Sequence, residues 1–312
     1  MDNLLLAAAV VFPLFCMMAL GYILRAIGLF EDGFLRQLNL VCFRVFLPTV
    51  LFINIYESDF YGLFSIKLIV FAIGFILLAL GGLLLIIPRI EHNNHNRGVV
   101  IQGIFRSNYI LFGVPIASAL YGAENTGTTA ILIAFVIPLF NLLSILVLSL
   151  YSSQKITRGS MIKEILSNPL ILASAMAFLF ILTKVSLPHV VETTIEDIAG
   201  VATPLALIIL GGSFRFSNVG KYKKLLWISV GGKLMILPAI FTGISILVGF
   251  RGMELGALMA MFASPTAVST FTMAQSAQAN DELAGQIVVF TSMLSIVTLC
   301  IWITLLKSGG FM

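Results

Sequence analysis

The chain has 312 residues, 59% of them hydrophobic and only 10% charged, with a formal net charge of +4. Mean hydropathy is +1.07, whereas a soluble domain is about 25% charged. There is too little polar surface here to cover a globule in water. A soluble enzyme, a nucleic-acid binder and a secreted disulfide scaffold are therefore excluded, and the chain reads as an integral membrane protein.

A spanning helix takes roughly 20 apolar residues. Apolar runs between polar clusters predict ten of them, over 3–24, 34–55, 65–88, 98–121, 128–151, 168–184, 194–213, 222–249, 254–277 and 283–306. The first run follows Met-Asp-Asn, without a basic leader, and is too long for a signal peptide, so it reads as a span. A loop over 152–167, with Lys155, Arg158 and Lys163, separates five spans in 1–151 from five in 168–312. Counting lysine and arginine in alternate loops gives eleven on one side (Arg25, Arg36, Arg89, Arg97, Lys155, Arg158, Lys163, Arg215, Lys221, Lys223 and Lys224) and four on the other (Lys67, Lys184, Arg251 and Lys307). The positive-inside rule places the richer side in the cytoplasm and both termini outside, in a plasma membrane.

The halves correspond. Pro48 and Pro204 fall mid-span in the second and seventh spans. Gly113-Val114-Pro115 interrupts the fourth, and Ser264-Pro265-Thr266 the ninth. An odd number of spans per half requires the second half to enter from the opposite side, the pattern of an inverted-repeat transporter with its site at the interrupted helices. The expected fold is an all-α polytopic membrane protein of two inverted five-helix repeats.

Proline inside a helix frees backbone groups, which in hydrocarbon must find partners or line a wet cavity. Ser264 followed by Pro265 reads as a cap and a first helical residue, leaving the amides of Thr266 and Ala267 free. The fourth span restarts similarly after Gly113 and Pro115, exposing the amides of Ile116 and Ala117. Facing helix N-termini suit an anion. The ionisable groups inside the spans, Arg44, Arg106 and Lys233, are all cationic, while no acid lies clearly in a span interior. Such groups are functional candidates. Arg44 and Arg106 also suit snorkelling to the headgroups. Asn108 lies on the helix face of the fourth break and is the leading ligand contact. Asn39 and Asn141 read equally as inter-helix hydrogen bonders. Gln275 and the Ser269-Thr270 pair fall beyond the ninth-span break. Cys16, Cys42 and Cys300 read as small hydrophobes, and His92 and His95 have no third ligand nearby. No metal and no cofactor are expected.

The segment from Arg106 to Pro115 resembles the fourth-helix signature of the auxin efflux carrier family. Asn168-Pro169, Ala202-Thr-Pro-Leu-Ala206, Ala263-Ser-Pro-Thr-Ala267 and the stretch from Asn39 to Pro48 also resemble that family. The absence of a long central insert points to its prokaryotic branch, related to the plant PIN auxin carriers. The resemblance implies the fold of bile-acid/sodium symporters and sodium/proton antiporters. Spans 1, 2, 6 and 7 would form a dimerising scaffold. Spans 3–5 and 8–10 would form a moving domain in which the fourth and ninth cross at Pro115 and Pro265. It implies a substrate-contacting role for Asn108. After Pro265 the plant carriers read Gln-Gly where this chain has Thr266-Ala267, so the plant substrate does not carry over. The expectation is an elevator-type exporter of a small organic anion, such as malate, malonate or an auxin-like carboxylate, working in the bilayer as a homodimer without nucleic acid. Sodium- or proton-coupled symport is the alternative within that class, and a membrane ligand sensor the alternative outside it.

Overall fold

The computed structural model describes residues 2–57, 65–122, 125–151, 167–215 and 220–312; the connecting loop expected over 152–167 lies almost entirely outside them. Every described element of length is helical. In chain order they are α1 (Asp2–Ala26), α2 (Asp32–Val41), a π-helical turn π1 (Cys42–Phe46), α3 (Leu47–Tyr56), α4 (Ile66–Ile90), α5 (Asn94–Phe105), α6 (Tyr109–Tyr121), α7 (Gly127–Leu150), α8 (Pro169–Thr183), α9 (His189–Ser213), α10 (Lys223–Gly231), a second π turn π2 (Gly232–Ile236), α11 (Leu237–Val248), α12 (Gly252–Ala263), α13 (Ser269–Ser276) and α14 (Asp281–Ser308). Among the described residues, six helical stretches are long and apolar enough to cross a membrane, and shorter apolar helices accompany them, among them Tyr109–Tyr121 and Gly252–Ala263. Each apolar run read from the sequence contains helix. The outward face is apolar too: Leu247 is 85% exposed and Val190 77%. A surface of that kind is stable against lipid, not water.

Two of the long helices carry a widened turn, and each sits just before a proline. Pro48 and Pro238 are the second residues of α3 and α11. Proline cannot donate to the carbonyl four residues back. The chain answers with one bond to the fifth residue back, from the Leu47 amide to Cys42 O and from the Leu237 amide to Gly232 O. Pro204, its mid-span counterpart in the sequence, lies inside an unbroken α9.

Helix α9 packs against α1 and α3, and α3 against α8. The α1–α9 seam is a backbone contact: a Cβ on Gly21 would meet the Ile208 carbonyl, and one on Gly211 the Met18 carbonyl. A second group packs α12 against α6 and α11, and α14 against α13.

At the end of α3, Glu57 meets Glu192 and Glu196 of α9, one carboxylate oxygen of each lying within 4.8 Å of the others. The sequence reading missed this group because its members are far apart in the chain. Partial burial, then the hydrogen bond and charge of Glu196, then the charge of Glu192, push the Glu57 carboxyl from 4.5 up to about 7. The folded state therefore holds this proton more tightly than the unfolded chain. Stability is unaffected below the unfolded value and falls as pH rises from there through about 7. Thermal unfolding in detergent is expected to show a midpoint that declines between those pH values, and Glu57→Gln is expected to flatten the decline. An unchanged slope in that variant would assign it to another group.

Candidate functional site

The two broken helices meet at their breaks. Between α5 and α6, the segment Arg106-Ser107-Asn108 leaves the helix; between α12 and α13, Ser264 through Val268 does so. The two segments pair as antiparallel backbone, with Ser107 bridging Thr266 and the Asn108 amide donating to Pro265 O at 2.8 Å. Side chains complete the joint. Thr266 Oγ1 donates to Gly103 O at 2.6 Å, the Thr266 amide donates to Thr291 Oγ1 at 3.2 Å, and Tyr109 Oη donates to Ala257 O at 3.1 Å. Ser264 Oγ donates to Ala260 O, and Lys233 Nζ to Ser107 Oγ. Polar backbone that would be prohibitive in hydrocarbon is satisfied from within the protein.

This geometry corrects the position of the breaks. The fourth-span helix restarts at Tyr109, not after Gly113, so Gly113, Pro115 and Ile116 lie inside α6, and Pro115 is not at the crossing. In the ninth span, Ser264 does not cap a helix opening on Pro265; helix resumes only at Ser269. The Thr266 amide is not free, because Thr291 takes it. Ser264, Pro265, Thr266 and Ala267 are buried in the joint. Pairing between the two segments, rather than proline chemistry within each, decides where helix stops.

One cavity borders the joint. It holds about 80 Å³, several times the ~10–15 Å³ needed for one water by the same measure. Leu47, Val50 and Leu51 of α3, Leu170 of α8, and Thr203 and Ala206 of α9 form one wall; Arg106, Asn108, Asn141 and Ser269 form the polar side. Arg106 is only 5% exposed. Its guanidinium donates to Asn141 Oδ1 at 2.6 Å, to Ser269 Oγ at 2.7 Å and to Met273 Sδ. All three partners are neutral, and among the described residues no carboxylate pairs with Arg106 or with Lys233, which is 1% exposed. The Asn108 amide Nδ2 is buried without a partner. Asn108 is also the N-cap of α6, whose first intrahelical bond runs from the Phe112 amide to Asn108 O. The amides of Ile110 and Leu111 therefore precede that bond, and both residues line the cavity. The cavity collects a guanidinium, a free amide donor and a helix N-terminus, all of which favour a negative charge.

The remaining candidates divide. Asn141 holds Arg106, and Lys233 holds the joint from behind. Arg44 is exposed on π1, outside the cavity. Asn39 Nδ2 donates to Thr272 O at 3.3 Å, tying α2 to α13. Gln275 lies beyond that contact, donating to Asp281 Oδ2 at 2.8 Å. There it lines a separate polar cavity of about 240 Å³ with Asp32, Arg36, Arg215 and Glu282. Helix α13 thus borders both cavities, and the Asn39–Thr272 contact lies between Ser269 of one and Gln275 of the other. The sequence reading missed Thr203, the apolar wall and Met273; only Thr203 carried a signal, within the Ala202-Thr-Pro stretch.

Residues 7–303 match the family described as membrane transport protein. The chain is also similar to an uncharacterized transporter of Methanothermobacter thermautotrophicus, with 25% identity over 296 residues, covering 91% of this chain and 93% of that relative. A family match running from the first span into the last places this chain in the membrane transport protein family: it is a transporter, not an enzyme.

Proposed function

We propose that the protein is a secondary transporter that exports a small organic anion by an elevator-type displacement, as a homodimer in the plasma membrane with both termini outside. The observation that carries this reading is the buried Arg106 guanidinium, without a carboxylate partner, beside the unpartnered Asn108 amide in a cavity at the helix breaks. A carboxylate there accepts from Arg106, Asn108 and the α6 N-terminus. In the ten-span, inverted-repeat reading, α1, π1 with its flanking helices, α8 and α9 are the scaffold, and the joint of α5, α6, α12 and α13 belongs to the moving domain. The cavity lies between these two groups, where such a movement would change its exposure. With the cytoplasm at about 100 mV negative, exporting one negative charge gains about 2.3 kcal/mol, close to fiftyfold accumulation outside. Coupling to sodium or protons is then not needed.

The test is charge movement by proteoliposomes on a solid-supported membrane. Malate, malonate and indole-3-acetate would be presented with and without sodium and a pH gradient. A sodium-independent current carrying negative charge with the anion is expected. A current that appears only with sodium would overturn the uncoupled mechanism. Saturable binding without current would move the protein to the sensor class.

A further inference from the structure

The largest apolar cavity described lies on the far side of Ile104 of α5 from the central cavity, between α4 and the continuous helix α10–π2–α11, and holds about 480 Å³. No polar side chain lines it. Phe75 and Phe241 close one end, their rings edge-on with centroids 4.7 Å apart, while Ile90 and Ile228 line the other. The two helices therefore run antiparallel, and the groove follows them along the direction of a lipid chain.

The end at Ile90 and Ile228 carries the marks of a membrane surface. Exposed Arg89 adjoins Ile90, exposed Lys224 stands one turn before Ile228, and Lys223 and a half-exposed Trp227 lie beside it. Tryptophan and lysine at this level belong to the headgroup layer. Lys223 and Lys224 form no ion pair among the described residues. Positive charge at the mouth of an apolar groove fits one occupant, a phospholipid with an anionic headgroup.

We propose that this groove holds an acyl chain of an anionic membrane phospholipid, with its phosphate at Lys223 and Lys224. The chain lies against Gly232 and Ile236 of π2. From that same turn Lys233 reaches through to Ser107 at the joint, so the lipid supports the turn that anchors the crossing. This binding site is independent of which substrate the central cavity takes.

Native mass spectrometry of the purified full-length protein would measure adducts of dioleoyl-phosphatidylglycerol, dioleoyl-phosphatidylcholine and oleate. About tenfold or more preference for phosphatidylglycerol over phosphatidylcholine is expected from two lysines, with oleate weaker than phosphatidylglycerol. Lys223→Gln with Lys224→Gln should erase that preference. Gly82→Leu should remove the adduct itself. Gly82 lines the groove and a Cβ there meets no atom within 4 Å, so the added side chain has room to enter the groove, and an unchanged melting midpoint of the delipidated protein verifies that the fold is undisturbed. Equal retention of the two phospholipids by the parent protein would overturn the proposal, as would tighter binding of oleate. So would a phosphatidylglycerol adduct that survives Gly82→Leu.

Discussion

Arg106→Leu is expected to abolish transport while leaving a folded protein. The guanidinium is buried, lines the central cavity and, among the described residues, is held by Asn141, Ser269 and Met273. A buried charge pair that loses one member weakens by about 2–5 kcal/mol, or roughly thirtyfold to several thousandfold in affinity. That loss falls on an anion and not on the fold. In the empty protein Arg106 is an unpaired buried cation, whose replacement by an apolar residue of similar volume is commonly neutral or stabilising. Arg106→Lys retains the charge but not the planar fork, so a milder loss, about tenfold, is expected. Anion-evoked current, with fluorescence-detected size exclusion as the check on folding, separates the outcomes. A folded Leu variant that transports normally would remove Arg106 from the site and take the proposed anion site with it.

Gly211→Leu is expected to act in the opposite way, through the fold and not the site. At Gly211 an added Cβ would run into the Met18 carbonyl, and at Gly21 into that of Ile208. The obstacle is backbone in each case, so no side chain can rotate away. Small residues allow membrane helices to approach this closely, and overpacking costs about 1–3 kcal/mol, sometimes more. A melting midpoint lower by about 2–5 °C, or loss of a monodisperse peak, is the expected result. Gly81→Leu is the control, since a Cβ there meets nothing, and it should melt as the parent does. If both variants behave alike, the α1–α9 seam is not as close as described.

Much of this molecule was legible in composition and apolar spacing. Helix in hydrocarbon is nearly forced, so apolar runs of the right length locate it to within a few residues. What could not be read locally was where two helices stop. Pro115 and Pro265 looked equivalent, but the first is absorbed within α6 and only the second lies at the crossing. The break before Tyr109 depends on Thr266 and Pro265, which are remote in the chain. Arg106 and Lys233 were both visible as cations within spans, but sequence could not say whether Arg106 snorkels or which of the two faces a cavity. Arg106 does; Lys233 is committed to Ser107. The Glu57, Glu192 and Glu196 group left no local pattern because folding alone brings α3 and α9 together.

The backbone pairing of Ser107 with Thr266 also restricts how the central cavity can be uncovered. Prising α6 away from α13 would strip the Asn108–Pro265 bond and leave amide and carbonyl groups without their backbone partners, at several kilocalories per mole for each group that meets hydrocarbon. Lys233 would lose Ser107 in the same step. Parting α13 from α2, by contrast, breaks one hydrogen bond among the described residues, Asn39–Thr272, and leaves the joint intact. The elevator movement proposed above would therefore carry α5, α6, α12 and α13 as one piece, with Arg106 and Asn108 riding on it. Under the proposed elevator movement, an anion in the central cavity would not be handed from one half-helix to another; it would be a passenger whose seat is fastened to the vehicle.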